Sequence, residues 1–105
     1  MYDKMYTINV EENEYIFEWD IDKEKANIKK HGLDFCVAAL CYLDNNAIEY
    51  FDKEHSDFEE RWACIGTFSN LIVKIIYTRR ENVIRIISAR MATKKEEAAY
   101  YGENS

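Results

Sequence analysis

The side chains best suited to chemistry in this chain are arginines of its C-terminal half and two lysines that precede a histidine. The planar guanidinium groups of Arg80, Arg85 and Arg90 match the oxygens of a phosphate group, and Lys29 and Lys30 add point charges. Arginine stays protonated and is a poor acid or base. Proton transfer would therefore fall to other polar side chains, which are His31, His55, Glu59, Glu60 and Tyr77.

The charge of the chain is divided between its two parts. The formal net charge of −6 would repel a polyanion. Residues 1–60 hold 6 Lys/Arg and 16 Asp/Glu, a net −10, whereas residues 61–105 hold 8 and 4, a net +4. The basic residues thus concentrate in the C-terminal part. An acidic surface beside a basic one favours a partner protein that carries a basic segment.

Composition predicts a single domain over residues 1–105. A chain of this length with 48% hydrophobic residues, no proline and three glycines is sufficient for one core and offers no linker. Its apolar stretches are far shorter than the roughly 20 residues of a membrane helix, so we expect a cytoplasmic protein with no membrane partner. Cys36, Cys41 and Cys64 are odd in number and lie among apolar residues, which predicts buried free thiols.

The elements that must position these side chains begin with a β-hairpin. Residues 6–10 and 15–19 carry β-forming side chains around a polar turn of four residues. Residues 1–15 are therefore expected to form an N-terminal extension with an extra strand.

Two helices should follow the hairpin. Asp20 or Asp22 is a suitable N-cap for the first helix, and Gly32 supplies a left-handed stop after His31. Asp34 caps the second helix in the same way. The second helix has one apolar face that must pack on the sheet, formed by Phe35, Ala38, Ala39 and Tyr42.

From residue 47 onward the pattern is that of strands. Four strands are expected, joined in part by turns at 69–70 and 81–82, and they span residues 47–52, 61–68, 71–79 and 83–90. Thr93 and Glu96 form a capping box for a last helix, and Ser56 with Glu59 repeats that signal. The prediction is an α+β fold: an antiparallel sheet of four to six strands, two N-terminal helices and a short C-terminal helix.

Strand parity separates two of the arginines. Arg85 and Arg90 are five positions apart, so in a regular strand they point to opposite faces, and a bulge or end twist is required to bring both to one pocket. Arg90, at the end of its strand, is the better phosphate contact. An ion pair with an acid on a neighbouring strand, or with Glu59 or Glu60, is an equal alternative for Arg85.

Other candidates also have structural interpretations. His31 fits a helix C-terminal cap as well as a catalytic role. Trp19 and Trp62 could stack on a base, but their strand positions favour the core. The acids around Asp20 suit a helix N-terminus as well as a cation, and no calcium-loop glycine follows them, so no metal or other cofactor is expected.

Six ordered segments over about residues 16–101 follow the pattern of one known family. They are Phe17-Glu18-Trp19-Asp20; Lys25-Ala26-Asn27 with Lys30-His31-Gly32; His55-Ser56 with Glu59-Glu60-Arg61; Ile65-Gly66; Tyr77-Thr78; and Ile84-Arg85-Ile86-Ile87-Ser88-Ala89-Arg90 with Ala92-Thr93. Together they resemble the BrnT toxins of type II toxin–antitoxin systems. The resemblance implies a RelE-like ribonuclease fold, cleavage of RNA without a metal, and a ribbon-helix-helix antitoxin through which operator DNA is bound.

Cleavage of RNA through its own 2′-hydroxyl requires removal of one proton, donation of another to the 5′-oxygen, and stabilisation of the charged transition state. Under this resemblance the candidates for catalysis are Arg90, Arg80, Glu60 and His31. The candidates for substrate binding are Lys29, Lys30, Arg85 and Tyr77.

The chain departs from the family pattern at three places. Met91 replaces a basic residue after the last strand arginine, Glu81-Asn82 replaces a turn glycine, and Tyr101-Gly102 replaces a closing Tyr-Glu pair. These changes reduce positive charge near the expected site. The alternative function is therefore a catalytically inactive member that acts as a protein-binding, promoter-regulating module, and a generic interaction domain is a third and weaker one.

Overall fold

A six-stranded β-sheet is the frame of the computed structural model, which describes residues 3–56 and 58–104. The strands are β1 (Asp3–Val10), β2 (Asn13–Asp20), β3 (Ile48–Phe51), β4 (Trp62–Phe68), β5 (Leu71–Arg80) and β6 (Val83–Met91), in the spatial order β1-β2-β6-β5-β4-β3. Helices α1 (Ile21–His31) and α2 (Phe35–Tyr42) lie between β2 and β3 in the chain, and α3 (Lys94–Glu103) follows β6. A 3-10 turn spans Lys53–His55, and the side chain of His55 lies outside the described part. The predicted α+β class is confirmed.

The expectation of a wholly antiparallel sheet is wrong at one strand pair. β2 and β6 run parallel where Ile16 to Glu18 face Val83 to Arg85. The other neighbours are antiparallel. Tight turns force antiparallel pairing on β1 with β2, β4 with β5, and β5 with β6. No turn joins β2 to β6, so nothing local in the sequence determines their relative direction.

Local signals placed the helix ends correctly. The Asp20 carboxylate accepts from the Lys23 N–H at 3.0 Å, and Gly32 ends α1 with φ 72°. Asp34 accepts from the Val37 N–H at 2.8 Å. These hydrogen bonds satisfy donors that a helix start leaves unpaired. The capping box of Thr93 and Glu96 at the start of α3 is also present.

Two local predictions were wrong. The N-terminal hairpin turn has two residues rather than four, since Val10 pairs with Asn13 and both Glu11 and Glu12 have positive φ. The described residues on either side of residue 57 form no helix that starts at Ser56. Its hydroxyl instead donates to the Asp52 carbonyl and accepts from the Arg61 N–H at 3.0 Å, so it ties together the two ends of a loop.

One face of the sheet, termed the core face, is covered by α2. The predicted apolar face of α2 is confirmed, because Phe35, Ala38 and Ala39 are buried. The core face contributes Phe17, Trp19, Cys64, Val73, Ile75, Tyr77 and Ile86. Trp19 therefore belongs to the core. The other face, termed the open face, receives α3 at one end, where Tyr100 packs on Ile65 and Ile72.

The cysteines are all free, and two of the three are buried as expected. Burial raises the pKa of the Cys41 thiol to about 11 and that of Cys64 further. Cys36 is exposed, so the prediction was wrong there. No helix among the described residues has the length and apolar character to cross a membrane.

Helix α1 is joined to β6 by a buried asparagine. The Asn27 side chain donates through Nδ2 to the carbonyls of Leu33 and Ala89, both at 2.9 Å, and its Oδ1 accepts from the Ala89 N–H at 3.1 Å. Asn27 is 6% exposed. Its amide thus pairs with the edge of β6 as a neighbouring strand would.

Asn27→Ala should lower the free energy of unfolding by about 3 kcal/mol, because it leaves the amide and carbonyl of Ala89 and the carbonyl of Leu33 buried without this partner. Urea unfolding followed by circular dichroism measures the change. The matched control is Asn9→Ala on the exposed edge strand, expected within about 0.5 kcal/mol of wild type. Equal effects of the two substitutions would contradict the role given to Asn27.

Helix α2 approaches β4 closely at Gly66. A Cβ at this position would overlap the backbone carbonyl of Cys41 and lie 3.3 Å from the Ala47 Cβ. We expect Gly66→Ala to cost about 3 kcal/mol of stability, since backbone rather than a flexible side chain must move. Gly102→Ala in α3 is the control, because an added Cβ there would meet no heavy atom of the described residues within 4 Å beyond its own helix backbone and chain neighbours, and it should be neutral or stabilising. Thermal unfolding of both variants tests this, and an unchanged Gly66→Ala protein would refute the close approach.

Candidate functional site

A cleft with a volume of about 490 Å³ lies between α1 and the open face of the sheet. α1 contributes Lys23, Ala26, Asn27, Lys30 and His31, and the strand side contributes Arg61, Lys74, Ile76, Ile87, Ser88 and Arg90. Six of these eleven residues are basic, counting His31, and none is acidic. We call this the basic cleft. Despite the acidic net charge of the chain, the cleft is suited to an anion.

A β-bulge in β6 forms part of the cleft floor. Ile86 pairs with Tyr77 and Ser88 pairs with Ile76, so Ile87 is an extra residue without a partner on β5. The bulge reverses the parity of the strand beyond it. Arg85 and Arg90, which regular geometry would place on opposite faces, therefore both lie on the open face.

Arg90 is held in the cleft by Glu96 of α3. Its Nη1 and Nη2 donate to the two carboxylate oxygens of Glu96 at 2.7 and 3.0 Å, and Nη1 also donates to the Met91 carbonyl at 3.2 Å. These contacts use three of the five N–H donors of a guanidinium group. Within the described residues, the Nε–H and one Nη2–H, which share one edge of the group, make no further hydrogen bond.

Glu96 also holds the second cation of this part of the cleft. Lys74 Nζ lies 3.5 Å from Glu96 Oε2. The hydrogen bonds from Arg90, assisted by the backbone N–H of Thr93, lower the pKa of the Glu96 carboxyl to about 2, against the opposing effect of burial. Glu96 thus stays ionised and fixes the position of both cations.

Arg61 brings a third cation to the cleft from the residue before β4. Its Nε is buried and has no hydrogen-bond partner among the described residues. The Thr78 hydroxyl of β5, also buried, likewise has none there. Unpaired polar atoms of this kind are costly in a protein interior. Arg61 lines the cleft and Thr78 does not, so it is the unpaired Arg61 Nε–H that favours a polar group in the cleft, such as a phosphate oxygen or a water molecule.

The end of α1 supplies Lys30 and His31, two of the residues expected from the sequence. The negative end of the helix dipole favours cations there, and Gly32 ends the helix directly after His31. Lys29 is exposed and does not line the cleft. Of the eight candidate site residues, the structure brings Lys30, His31 and Arg90 together.

Arg80 and Glu60 lie outside the cleft. Arg80 pairs with Glu59 at 3.3 Å at the far end of β5, six strand positions from Lys74 and so about 20 Å along the strand. Glu60 is exposed in the loop before β4.

Arg85 and Tyr77 also have other partners. Arg85 pairs with Asp3 at 3.2 Å and with Glu18 of the neighbouring strand at 3.6 Å, in line with the ion-pair alternative. Tyr77 is fully buried on the core face, where its hydroxyl donates to Glu49. Burial raises its pKa. The structure therefore gives Tyr77 a packing position rather than access to the cleft.

The basic cleft residues not expected from the sequence are Lys23, Arg61 and Lys74. A signal was available for two of them. Lys74 interrupts the apolar run of residues 71–77, and Arg61 closes the segment Glu59-Glu60-Arg61. No cluster of three or more His, Cys, Asp or Glu that could hold a metal ion occurs in the part of the chain described.

The fold and the cleft define a small α+β protein with a cationic site on the open face of its sheet, and a β-bulge forms part of the floor of that site. The family model described as "Ribonuclease toxin, BrnT, of type II toxin-antitoxin system" matches residues 19–96. The chain therefore belongs to the BrnT family, and a type II system implies a cognate antitoxin. No curated protein matches the chain. β1 and its turn precede the matched segment.

Glu96→Gln should destabilise the protein by about 1–2 kcal/mol near neutral pH, because glutamine keeps the capping box but loses the charge that binds Arg90 and Lys74. The Glu96 pKa falls from 4.5 to about 2 on folding, so the advantage of the wild type is complete above pH 4.5 and declines as the pH falls toward 2. Urea unfolding at a series of pH values measures it. A difference that is constant across this interval would contradict the assigned ion pair.

Proposed function

We propose that the chain is a RelE-like, metal-independent endoribonuclease that inhibits translation by cutting RNA. The observation that carries this proposal is the basic cleft, in which four chain segments place five Lys or Arg side chains beside a histidine with no acid among the described lining residues. Membership of a family of ribonuclease toxins supports it. The phosphodiester of RNA supplies its own nucleophile, so the protein has only to position, neutralise and move protons.

Each basic residue of the cleft has a role in the proposed reaction. The free edge of the Arg90 guanidinium and the Arg61 side chain bind the non-bridging oxygens of the scissile phosphate, and Lys74 adds charge. Lys23 and Lys30 contact the flanking phosphates.

His31 is the histidine of the cleft, and imidazole is the side chain that enzymes use most often as a general acid or base. It removes the proton of the 2′-hydroxyl, whose oxygen then forms a bond to phosphorus. The bond from phosphorus to the 5′-oxygen breaks, and that oxygen takes a proton from water. The products are a 2′,3′-cyclic phosphate and a 5′-hydroxyl end. The cations act mainly on the transition state, where the phosphorane carries the most negative charge.

The departures from the family pattern lie away from the cleft lining, which favours an active enzyme over an inactive module. Met91 does not line the cleft. Glu81 lies at the turn between β5 and β6, at the end of β5 far from Lys74. Tyr101 is 61% exposed on α3. The positive charge lost at these positions is therefore lost outside the cleft lining.

The proposed partner is a ribbon-helix-helix antitoxin that neutralises the toxin in the cytoplasm. Operator DNA would be bound through the antitoxin in the complex. The surplus of acidic residues in positions 1–60 suits a basic segment of that partner.

Expression of the chain alone should arrest bacterial growth, and the purified protein should cleave RNA in the presence of EDTA, because the proposed steps use side chains only. Gel analysis of RNA fragments and their end groups measures this. Cleavage abolished by EDTA and restored by a divalent ion would contradict the mechanism. If the RNA stays intact, and the complex of the chain with its antitoxin represses a promoter, the inactive alternative would be supported instead.

Arg90→Ala should lower kcat for RNA cleavage by about 100-fold or more, since removal of one positioned donor to the transition state costs about 2.7–4 kcal/mol. Arg80→Ala is the matched control, because it removes an arginine from the other end of the same face, and it should retain activity within about threefold. Single-turnover cleavage assays compare them. Equal losses in both variants would move the site away from the basic cleft.

A further inference from the structure

Tyr50 of β3 lies at the rim of the basic cleft. In the register of the sheet it faces Ala63, which faces Ile76, which faces Ser88. Residues directly opposite one another share a face, so Tyr50 lies on the open face in the row of Ile76 and Ser88. Its side chain is 40% exposed. An aromatic ring therefore borders the cationic floor.

The ring of Tyr50 is directly associated with a cleft cation. Lys74 Nζ lies 5.6 Å from the ring centroid, within the range of a cation–π contact. Lys74 is itself held by Glu96, which also holds Arg90. A phosphate-binding pair and an exposed aromatic ring thus form one unit. Binding sites for single-stranded nucleic acid combine these two components, because the cations follow the backbone and the rings stack on bases.

The next residue, Phe51, is also aromatic, but its ring contacts another aromatic ring rather than a cation of the cleft. Phe51 is similarly exposed, at 43%, but lies on the core face and packs edge-on against Trp62 with ring centroids 5.4 Å apart. Its ring is accounted for by this packing. The contact described for the Tyr50 ring is the Lys74 ammonium group, so packing against other rings does not explain the position of Tyr50.

We propose that Tyr50 stacks on an unpaired base of single-stranded RNA whose adjacent phosphate is bound by Lys74 and Arg90. This inference rests on the proposed ribonuclease function and narrows the substrate class. A duplex keeps its bases stacked on one another, so only a single strand or loop offers a free base face to the ring. Because every base has such a face, the contact favours unpaired RNA without selecting a sequence.

The test uses a short single-stranded oligoribonucleotide with 2′-O-methyl groups, which blocks the nucleophile and separates binding from cleavage. Fluorescence anisotropy gives its Kd for wild type, Tyr50→Leu, Tyr50→Phe and Phe51→Leu at one fixed salt concentration. We expect Tyr50→Leu to weaken binding about tenfold, and Tyr50→Phe and Phe51→Leu to stay within about twofold. Circular dichroism verifies folding. If Tyr50→Leu does not fold, two other measurements still test the proposal. Loss of RNA binding in Tyr50→Phe would overturn it, and so would equal affinities of the wild type for single-stranded and double-stranded RNA.

A series of oligonucleotides, each with one abasic position, isolates the stacking contact. One position should lower the affinity of the wild type and have little effect on Tyr50→Leu, because the stacking partner is already absent there. A blunt duplex of the same sequence should bind both proteins equally. Equal losses in Tyr50→Leu and Phe51→Leu, or no sensitive position, would overturn the stacking role.

Cleavage of the unmodified RNA is measured in parallel. Sensitivity of binding to Tyr50 with no cleavage would sustain stacking and refute the ribonuclease function. Cleavage with no dependence of binding on Tyr50 would support the ribonuclease function and refute stacking by Tyr50.

Discussion

The amide of Asn27 occupies a position beside β6 that would otherwise belong to a strand. β2 pairs with β6 only over Ile16 to Glu18, and α1 takes its place from there on. A helix has no free backbone groups to offer a sheet edge, so a side chain must satisfy the N–H and C=O of Ala89. The three hydrogen bonds of Asn27 do so and fix the end of α1 next to Ser88 and Arg90. The basic cleft exists because a helix, rather than a strand, lies beside this part of β6.

A cationic cleft forms in an acidic protein because several of its acids have structural roles. Asp20 and Asp34 cap helices, and the buried Glu24 accepts from the Phe35 N–H at 2.9 Å, which joins α1 to α2. Glu96 holds Arg90 from the α3 side, and the other edge of the guanidinium group makes no hydrogen bond within the described residues. Net charge therefore says little about the site. The field at the cleft is determined by the cations that line it, and the nearest acid orients them.

Much of the local structure was determined by the sequence alone. Helix caps such as Asp20, Gly32 and the Thr93 box are short-range hydrogen-bonding patterns, so they could be read from the residues. The strands of the second half were also predicted to within a few residues, because alternation of polar and apolar side chains is a property of each segment by itself. The family could likewise be inferred from six ordered segments. These features require no knowledge of where distant segments meet.

The composition of the site was decided by tertiary structure. The bulge at Ile87 places Arg85 and Arg90 on one face, yet ion pairs with acids of β1 and β2 hold Arg85. Arg61 and Lys74 come to the cleft from other segments. The parallel pairing of β2 with β6 and the burial of Tyr77 both depend on contacts between residues far apart in the chain. Sequence periodicity reports which side of its own strand a residue occupies, but not which helix or partner strand covers that side. The chemical candidates were therefore identifiable from the sequence, and their grouping into one cleft was determined only by the packing of α1 against β6.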